Sequence, residues 1–162
     1  MALIAERLVE LWVSARHATV LRARGAVEHG HEHFPLFVIL HAAFLVALPV
    51  EVLWLGAQPP VWWPACAVVA VFAEGLRWWA IRSLAERWNV RIWVLPGAPL
   101  VTRGPYRYLR HPNYVAVVLE LLAVPLAFGA WRTALGASLA NGALLLVRIR
   151  VEERALGLRA AR

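Results

Sequence analysis

Cysteine is almost absent from this sequence: Cys66 is the only one, and it lies within an apolar run. A lone cysteine forms no internal disulfide and has no second thiol with which to share a zinc ion. A disulfide scaffold and a cysteine-rich zinc domain are therefore excluded. The first twelve residues, MALIAERLVELW, carry early glutamates and lack a cleavage-site pattern, so they are not expected to be a signal peptide.

Charged side chains are also scarce, at 17% of 162 residues, whereas 61% of the residues are hydrophobic and nine are tryptophan. Ordinary soluble domains contain roughly 45–50% apolar residues. The net charge of +7 would suit a nucleic-acid-binding protein if the arginines formed one stripe, but they fall in the links between apolar runs. That placement is typical of membrane-protein loops, so we expect contact with membrane lipids and no nucleic-acid partner.

The apolar runs are long enough to cross a bilayer, which takes about 20 residues. The sequence predicts an all-α fold, a polytopic membrane helical bundle of about five transmembrane helices, with four clear spans at 34–57, 61–81, 113–130 and 133–149. A helix at 3–24 contains Glu6, Arg7 and Glu10, so it is either a short first span or an interfacial helix.

The chain is expected to be one domain, 1–162, in three parts. These parts are an N-terminal helix with its polar link (1–33), a helical hairpin (34–81) and a C-terminal half (82–162). The length suits a single domain.

Arginine placement predicts the orientation of the bundle. The basic segments are 16–33, 82–112 and the tail from 148, whereas the connections at 58–60 and near 130 carry almost no charge. The basic segments should share one side of the membrane, the cytoplasmic side. The small size and the high alanine, arginine and tryptophan content favour a bacterial protein, hence an inner-membrane location with a cytoplasmic C-terminus.

Polar chemistry is concentrated in the link PGAPLVTRGPYRYLRHPNY, residues 96–114. Its prolines and glycines prevent a continuous helix, so the chain should run as extended segments and turns with free backbone groups. Pro112 should keep His111 out of the helical region, and Asn113 should cap the next helix. The tyrosines supply rings and hydroxyls for a nucleotide-like ligand. The alternative is an interfacial loop that contacts lipid headgroups.

A second polar group is RIRVEERAL, residues 148–156. Arg148 and Glu152 are four residues apart and share one helix face, where they could simply form a surface salt bridge. Glu74 and Arg77 have similar spacing and are expected to pair within a span. The histidines at 29, 31 and 33 are interpreted as part of a solvated link, so no metal site is expected.

Together, the two polar groups resemble the isoprenylcysteine carboxyl methyltransferase (ICMT) family of integral membrane enzymes. The matching features are LVTRGPYRYLRHPNY, then Glu120, two hydrophobic helices and RIRVEE, all between Arg77 and Glu153. The resemblance implies S-adenosyl-L-methionine as cofactor, S-adenosyl-L-homocysteine as product, and a cytosolic pocket formed by the link and the last helix.

Carried over position by position, the resemblance implies a set of site residues. Those expected to bind the cofactor are Ala98, Pro99, Leu100, Val101, Tyr106, His111, Pro112, Asn113, Tyr114 and Glu152. Arg148 and Glu152 are the implied catalytic residues, and Arg148 and Glu120 the implied acceptor-binding residues. Glu120 either lines the acceptor entrance or braces the link. Arg91 stands near the place where eukaryotic members carry an amide side chain.

The expected reaction is methyl transfer to a carboxylate or hydroxyl of a lipophilic acceptor that arrives from the bilayer. A carboxylate acceptor is already ionised, and Arg148 would orient it. A phenol would need a base, and His111 or Glu152 is the candidate. Two other functions remain open: an NADPH-dependent membrane reductase of the sterol-reductase type, which is expected to need a longer chain, and a non-enzymatic scaffold or lipid-binding protein.

Overall fold

The computed structural model describes residues 2–158. Met1 and residues 159–162, which include Arg159 and Arg162 of the expected basic tail, lie outside this range. The described chain has five α-helices and two short strands: α1 (Ala2–Ala23), β1 (Val27–His29), α2 (Phe34–Leu53), α3 (Trp63–Leu84), β2 (Ile92–Val94), α4 (Pro112–Ala127) and α5 (Trp131–Ala155). Short 3-10 turns occupy Ala85–Arg87 and Gly104–Arg107. The predicted all-α membrane bundle is confirmed.

Between residues 2 and 158, three helical segments are long and apolar enough to cross a membrane: Phe34–Leu53, Trp63–Arg87 and Trp131–Ala155, with mean hydropathy 2.4, 1.3 and 1.4. Helix α4 has 16 residues, fewer than the expected span at 113–130. It ends early because the chain turns at Gly129, which has a φ of +75°. A Cβ on Gly129 would lie 2.0 Å from the carbonyl oxygen of Gln58, so this turn packs closely on the link between α2 and α3.

The described parts of the three basic segments meet on one side of the bundle, as their pattern predicts. Strand β1 pairs antiparallel with β2. The Arg91 guanidinium contacts the Glu28 carboxylate at 2.8 Å, and Arg148 of α5 donates a hydrogen bond to the Val90 carbonyl at 2.5 Å. This two-stranded sheet was not predicted from the sequence. The turn at Gly129 lies at the opposite ends of α4 and α5.

Helices α3 and α4 pack along each other through small side chains. Ala73 and Ala80 of α3 are fully buried, as is Ala116 of α4, and Ala123 is almost so. Each pair is seven residues apart and therefore lies on one helix face. Small residues on such faces allow two membrane helices to approach closely.

A buried ion-pair network, which we call the Arg77 cluster, joins α1 to α3 and α4. Its members are Glu6, Arg7, Glu10, Glu74, Arg77 and Glu120. Arg77 contacts Glu74 at 3.2 Å, which confirms the predicted pair, and Glu10 at 3.1 Å. It also forms a short hydrogen bond to Glu120, which accepts another from Arg7 at 2.6 Å. The charged face of α1 therefore points into the bundle.

Helix α5 begins without a side-chain cap of its own, because its N-cap residue is Ala130. Glu51 of α2 supplies the cap instead. Its carboxylate accepts hydrogen bonds from the Arg132 N–H at 3.0 Å, the Thr133 N–H at 2.7 Å and the Thr133 hydroxyl at 2.6 Å. A negative charge at a helix N-terminus also interacts favourably with the helix dipole.

Replacing Glu51 with alanine should lower the free energy of unfolding by about 1–3 kcal/mol, because three donors, two of them buried, lose their acceptor. Titration of the detergent-purified protein with dodecyl sulfate, followed by circular dichroism, measures the change. Glu32→Ala is the control, since the Glu32 side chain is 72% exposed. Equal stability of the two variants would contradict the capping role.

Candidate functional site

The link between β2 and α4 is held against the end of α3. Gly104 has a φ of +61°, and a Cβ on it would lie 2.1 Å from the Ser83 hydroxyl oxygen. The Arg103 guanidinium donates to the Ser83 carbonyl at 3.1 Å, and Arg87 donates to the Pro99 carbonyl at 2.6 Å. These contacts fix the irregular backbone of the link over the helix end.

Helix α4 starts one residue earlier than predicted, so the expectation that Asn113 caps it is wrong. The helix begins at Pro112, and His111 is its N-cap residue, with φ −130° and ψ 62°. Proline suits this first position because it lacks an N–H and has a helical φ. Within the described chain, the Asn113 side-chain oxygen is buried and makes no hydrogen bond. It is therefore available to a ligand.

A cavity of about 480 Å³, which we call the link cavity, lies between the link, β2, the start of α4 and the end of α5. Nine of the ten expected cofactor-binding residues line it: Ala98, Pro99, Leu100, Val101, Tyr106, His111, Asn113, Tyr114 and Glu152. The tenth, Pro112, is buried behind this surface. The size is within the usual range of small-molecule sites.

Residues before the link also line this cavity and were missed in the sequence. They include Trp88, Asn89 and Trp93, which lie around β2. Asn89 carries an amide side chain two residues before Arg91. This amide forms hydrogen bonds with Ser14 of α1. The stretch NVRIWV, which contains β2, was the available signal in the sequence, but the pairing of β2 with β1 depends on a distant segment.

A hydrogen-bonded chain connects α4 to α5 at the cavity wall. The Tyr114 hydroxyl donates to the Glu152 carboxylate at 2.6 Å and accepts from the Arg148 guanidinium at 2.8 Å. Arg148 and Glu152 thus share one face of α5, as predicted, but the tyrosine hydroxyl bridges them. We call these three residues the junction.

His111 lies against the junction, its ring stacked on Tyr114 with centroids 5.3 Å apart. Its nitrogens are 3.4 Å from a Glu152 oxygen and 3.5 Å from a Glu153 oxygen. Burial disfavours the charged ring, but the two carboxylates outweigh burial and hold the pKa of His111 above its ordinary value. Burial, with the Glu152 charge, raises the pKa of Tyr106 above its usual range, so that phenol stays protonated.

A second cavity of about 310 Å³, which we call the apolar cavity, lies on the other side of the junction. Side chains from α1, α2, α4 and α5 line it, among them Leu8, Phe37, Leu45, Val117 and Leu145. Arg148 lines this cavity, and Glu152 lines the link cavity. Tyr114, Asn113 and Trp88 line both, so they form the partition between the two spaces.

Glu120 is the expected site residue that the structure places elsewhere. It belongs to the Arg77 cluster and lines neither cavity. Three other cluster members, Arg7, Glu10 and Arg77, reach the wall of the apolar cavity. No group of three histidine, cysteine or acidic side chains between residues 2 and 158 is arranged to hold a metal ion.

Comparison with known proteins gives consistent matches. Residues 65–157 match the isoprenylcysteine carboxyl methyltransferase (ICMT) family. An uncharacterized protein of Bacillus subtilis (strain 168), YpbQ, is 40% identical over 154 residues, covering 95% of this chain and 92% of that protein. An uncharacterized protein of Haemophilus influenzae is 31% identical over 155 residues, covering 95% and 90%. The family match includes the whole link and the junction.

Proposed function

The chain belongs to the isoprenylcysteine carboxyl methyltransferase family, a membrane methyltransferase family, and from this premise we propose its reaction. It transfers the methyl group of S-adenosylmethionine to a carboxylate or hydroxyl oxygen of a lipophilic acceptor, leaving S-adenosylhomocysteine. The observation that carries the proposal is the junction, because Arg148, Tyr114 and Glu152 stand where the link cavity and the apolar cavity meet.

The link cavity has the donor and acceptor set that this cofactor needs. Glu152 provides a carboxylate for a positively charged group, and the free Asn113 oxygen accepts a hydrogen bond from an amine. Residues 98–101 lie outside the helices, so they contribute backbone N–H and C=O groups that form no helical hydrogen bonds. When bound, the cofactor supplies a methyl group on a positively charged sulfur. An opposite charge in a low-dielectric wall favours such a ligand over a neutral one.

The apolar cavity suits a lipid acceptor whose polar end reaches Arg148. The Arg148 guanidinium is fixed by the Val90 carbonyl, by Tyr114, and by the Phe37 ring 5.1 Å away. A fixed guanidinium orients a carboxylate or an incipient oxyanion, and such positioning supplies much of the acceleration of a displacement reaction. A carboxylate acceptor needs no base. With a hydroxyl acceptor, His111 or Glu152 takes the proton.

The proposed location is the bacterial inner membrane, with the link cavity and the C-terminus facing the cytoplasm. The side of the bundle that carries the link cavity also carries the basic segments 16–33 and 82–112. Positively charged loops remain on the cytoplasmic side. The soluble cofactor would then enter from the cytoplasm and the acceptor from the bilayer.

The cofactor proposal predicts that Glu152→Gln weakens S-adenosylmethionine binding by about tenfold and S-adenosylhomocysteine binding by less, because only the former carries a sulfonium charge. Calorimetry on the detergent-purified protein measures both affinities. Glu32→Gln, which changes an exposed carboxylate, should bind both like the wild-type protein.

NADPH is titrated in the same preparations. Binding of NADPH without S-adenosylhomocysteine would overturn the methyltransferase reaction in favour of a reductase. Binding of neither ligand would favour a scaffold or lipid-binding protein. If Glu152→Gln weakened the binding of S-adenosylmethionine and S-adenosylhomocysteine equally, the Glu152 carboxylate would not contact the sulfonium.

A further inference from the structure

One buried amide in the apolar cavity is not used by the proposed reaction. Asn141 lies in the middle of α5, and its side chain is 1% exposed. It lines the apolar cavity but not the link cavity. Within residues 2–158, neither its amide nitrogen nor its amide oxygen has a hydrogen-bond partner.

Such an amide is unusual, because buried polar side chains nearly always form hydrogen bonds. Burying an amide without hydrogen bonds among apolar side chains lowers the stability of the folded protein, and the penalty is large within a membrane helix. Asparagine often joins membrane helices through hydrogen bonds between them. In this bundle Asn141 lines a cavity, and within residues 2–158 its amide bonds to neither of the adjoining helices, so it does not have that role.

The position of Asn141 relates it to the junction. Asn141, Leu145 and Arg148 follow each other on one face of α5, and all three line the apolar cavity. Asn141 precedes Arg148 by seven residues, which corresponds to about 10 Å along the helix axis. A lipid whose reacting end contacts Arg148 therefore extends past Asn141 toward the middle of the membrane.

We propose that Asn141 is a specificity-determining residue that recognises a second polar group on the acceptor, about 10 Å from the methylated oxygen. An amide offers both donors and an acceptor, so a hydroxyl or amide group complements it best. The group should be neutral, because the charged side chains at this cavity wall other than Arg148, which are Arg7, Glu10 and Arg77, already pair with one another. This inference rests on the proposed function.

Three fatty acids test the inference with no need for the natural acceptor. They are octadecanoic acid and its derivatives with a hydroxyl on carbon nine or on carbon seventeen. Carbon nine is about 10 Å from the carboxyl carbon in an extended chain, which matches the spacing of Asn141 and Arg148. Calorimetry compares their binding to the wild-type protein and its variants in one detergent, so that partitioning into micelles cancels.

The wild-type protein should bind the carbon-nine hydroxy acid about tenfold more tightly than the carbon-seventeen isomer, because only the former pairs the buried amide. Asn141→Leu should abolish this preference without weakening octadecanoic acid. Asn141→Ser, which keeps one donor and acceptor, should retain part of it. Leu145→Ala, a control on the same face, should weaken all three ligands equally.

Several outcomes would overturn the inference. Equal affinity of the wild-type protein for the two isomers would do so, and higher thermal stability of Asn141→Leu would then indicate that the amide holds only a water. A preference that survives in Asn141→Leu, or no binding of any fatty acid by a protein that binds S-adenosylhomocysteine, would also contradict it. If the wild-type protein did not bind S-adenosylhomocysteine, the proposed function itself would be contradicted, whatever the fatty-acid preference.

Discussion

Replacing Arg77 with leucine should lower the free energy of unfolding by about 3–5 kcal/mol, the usual effect of removing one partner from a buried ion network. Arg77 is 1% exposed and contacts four carboxylates, those of Glu6, Glu10, Glu74 and Glu120. Without it, Arg7 alone remains among four acidic groups. The substitution fills similar volume with apolar atoms, so the loss is electrostatic.

Replacing Arg77 should also weaken ligand binding in the apolar cavity, because the Arg77 cluster holds α1 against the bundle. Apolar side chains of α1 such as Ile4, Leu8 and Leu11 are substantially exposed. Leu8 and Leu11 nevertheless form part of the apolar cavity wall. Detachment of α1 would open that cavity, so fatty-acid binding should be lost under milder conditions than S-adenosylhomocysteine binding.

Dodecyl sulfate titration followed by circular dichroism gives the free energy, with Arg82→Leu as the matched control. Arg82 lies on the same helix and is exposed, so its replacement should change stability by less than about 0.5 kcal/mol. Adding Glu120→Gln to Arg77→Leu should recover part of the loss by removing one unpaired charge. A double variant less stable than Arg77→Leu would contradict this account.

Replacing Arg148 with lysine should lower methyl transfer by about 100-fold, the loss expected when a reacting group is misplaced by about 1 Å. Lysine keeps the charge but lacks the planar fork that contacts Tyr114 and the Val90 carbonyl simultaneously. Arg148 does not line the link cavity, so binding of S-adenosylhomocysteine should change little.

Methyl transfer is measured as radioactivity moved from labelled S-adenosylmethionine into the organic extract of protein-containing membranes. Calorimetry of S-adenosylhomocysteine runs beside it. Arg150→Lys, two residues further along α5 and exposed, should behave like the wild-type protein in both assays. If Arg148→Lys lost both methyl transfer and S-adenosylhomocysteine binding, Arg148 would be a structural residue, and its placement at the acceptor end would be wrong.

Local patterns in the sequence were sufficient to predict the fold class. Apolar runs near bilayer length predict spanning helices, and arginines between them predict which segments share a side, since both signals depend on residues close in the chain. Proline and glycine likewise predicted the irregular link that lines the link cavity. The early end of α4 at Ala127, before the turn at Gly129, and the start of that helix at Pro112 were missed, because neighbouring turns decide helix ends.

Only the tertiary structure decided which distant residues meet. The hydroxyl of Tyr114 bridges Arg148 and Glu152, Glu51 caps α5, and Glu120 joins the Arg77 cluster and lines neither cavity. Asn141 had no pattern that distinguished it from an ordinary polar residue in a membrane helix. Contacts between helices depend on their rotation and depth, which hydropathy does not specify. The sequence by itself therefore determined the membrane bundle and its irregular link, and helix packing determined the junction and the buried amide of Asn141.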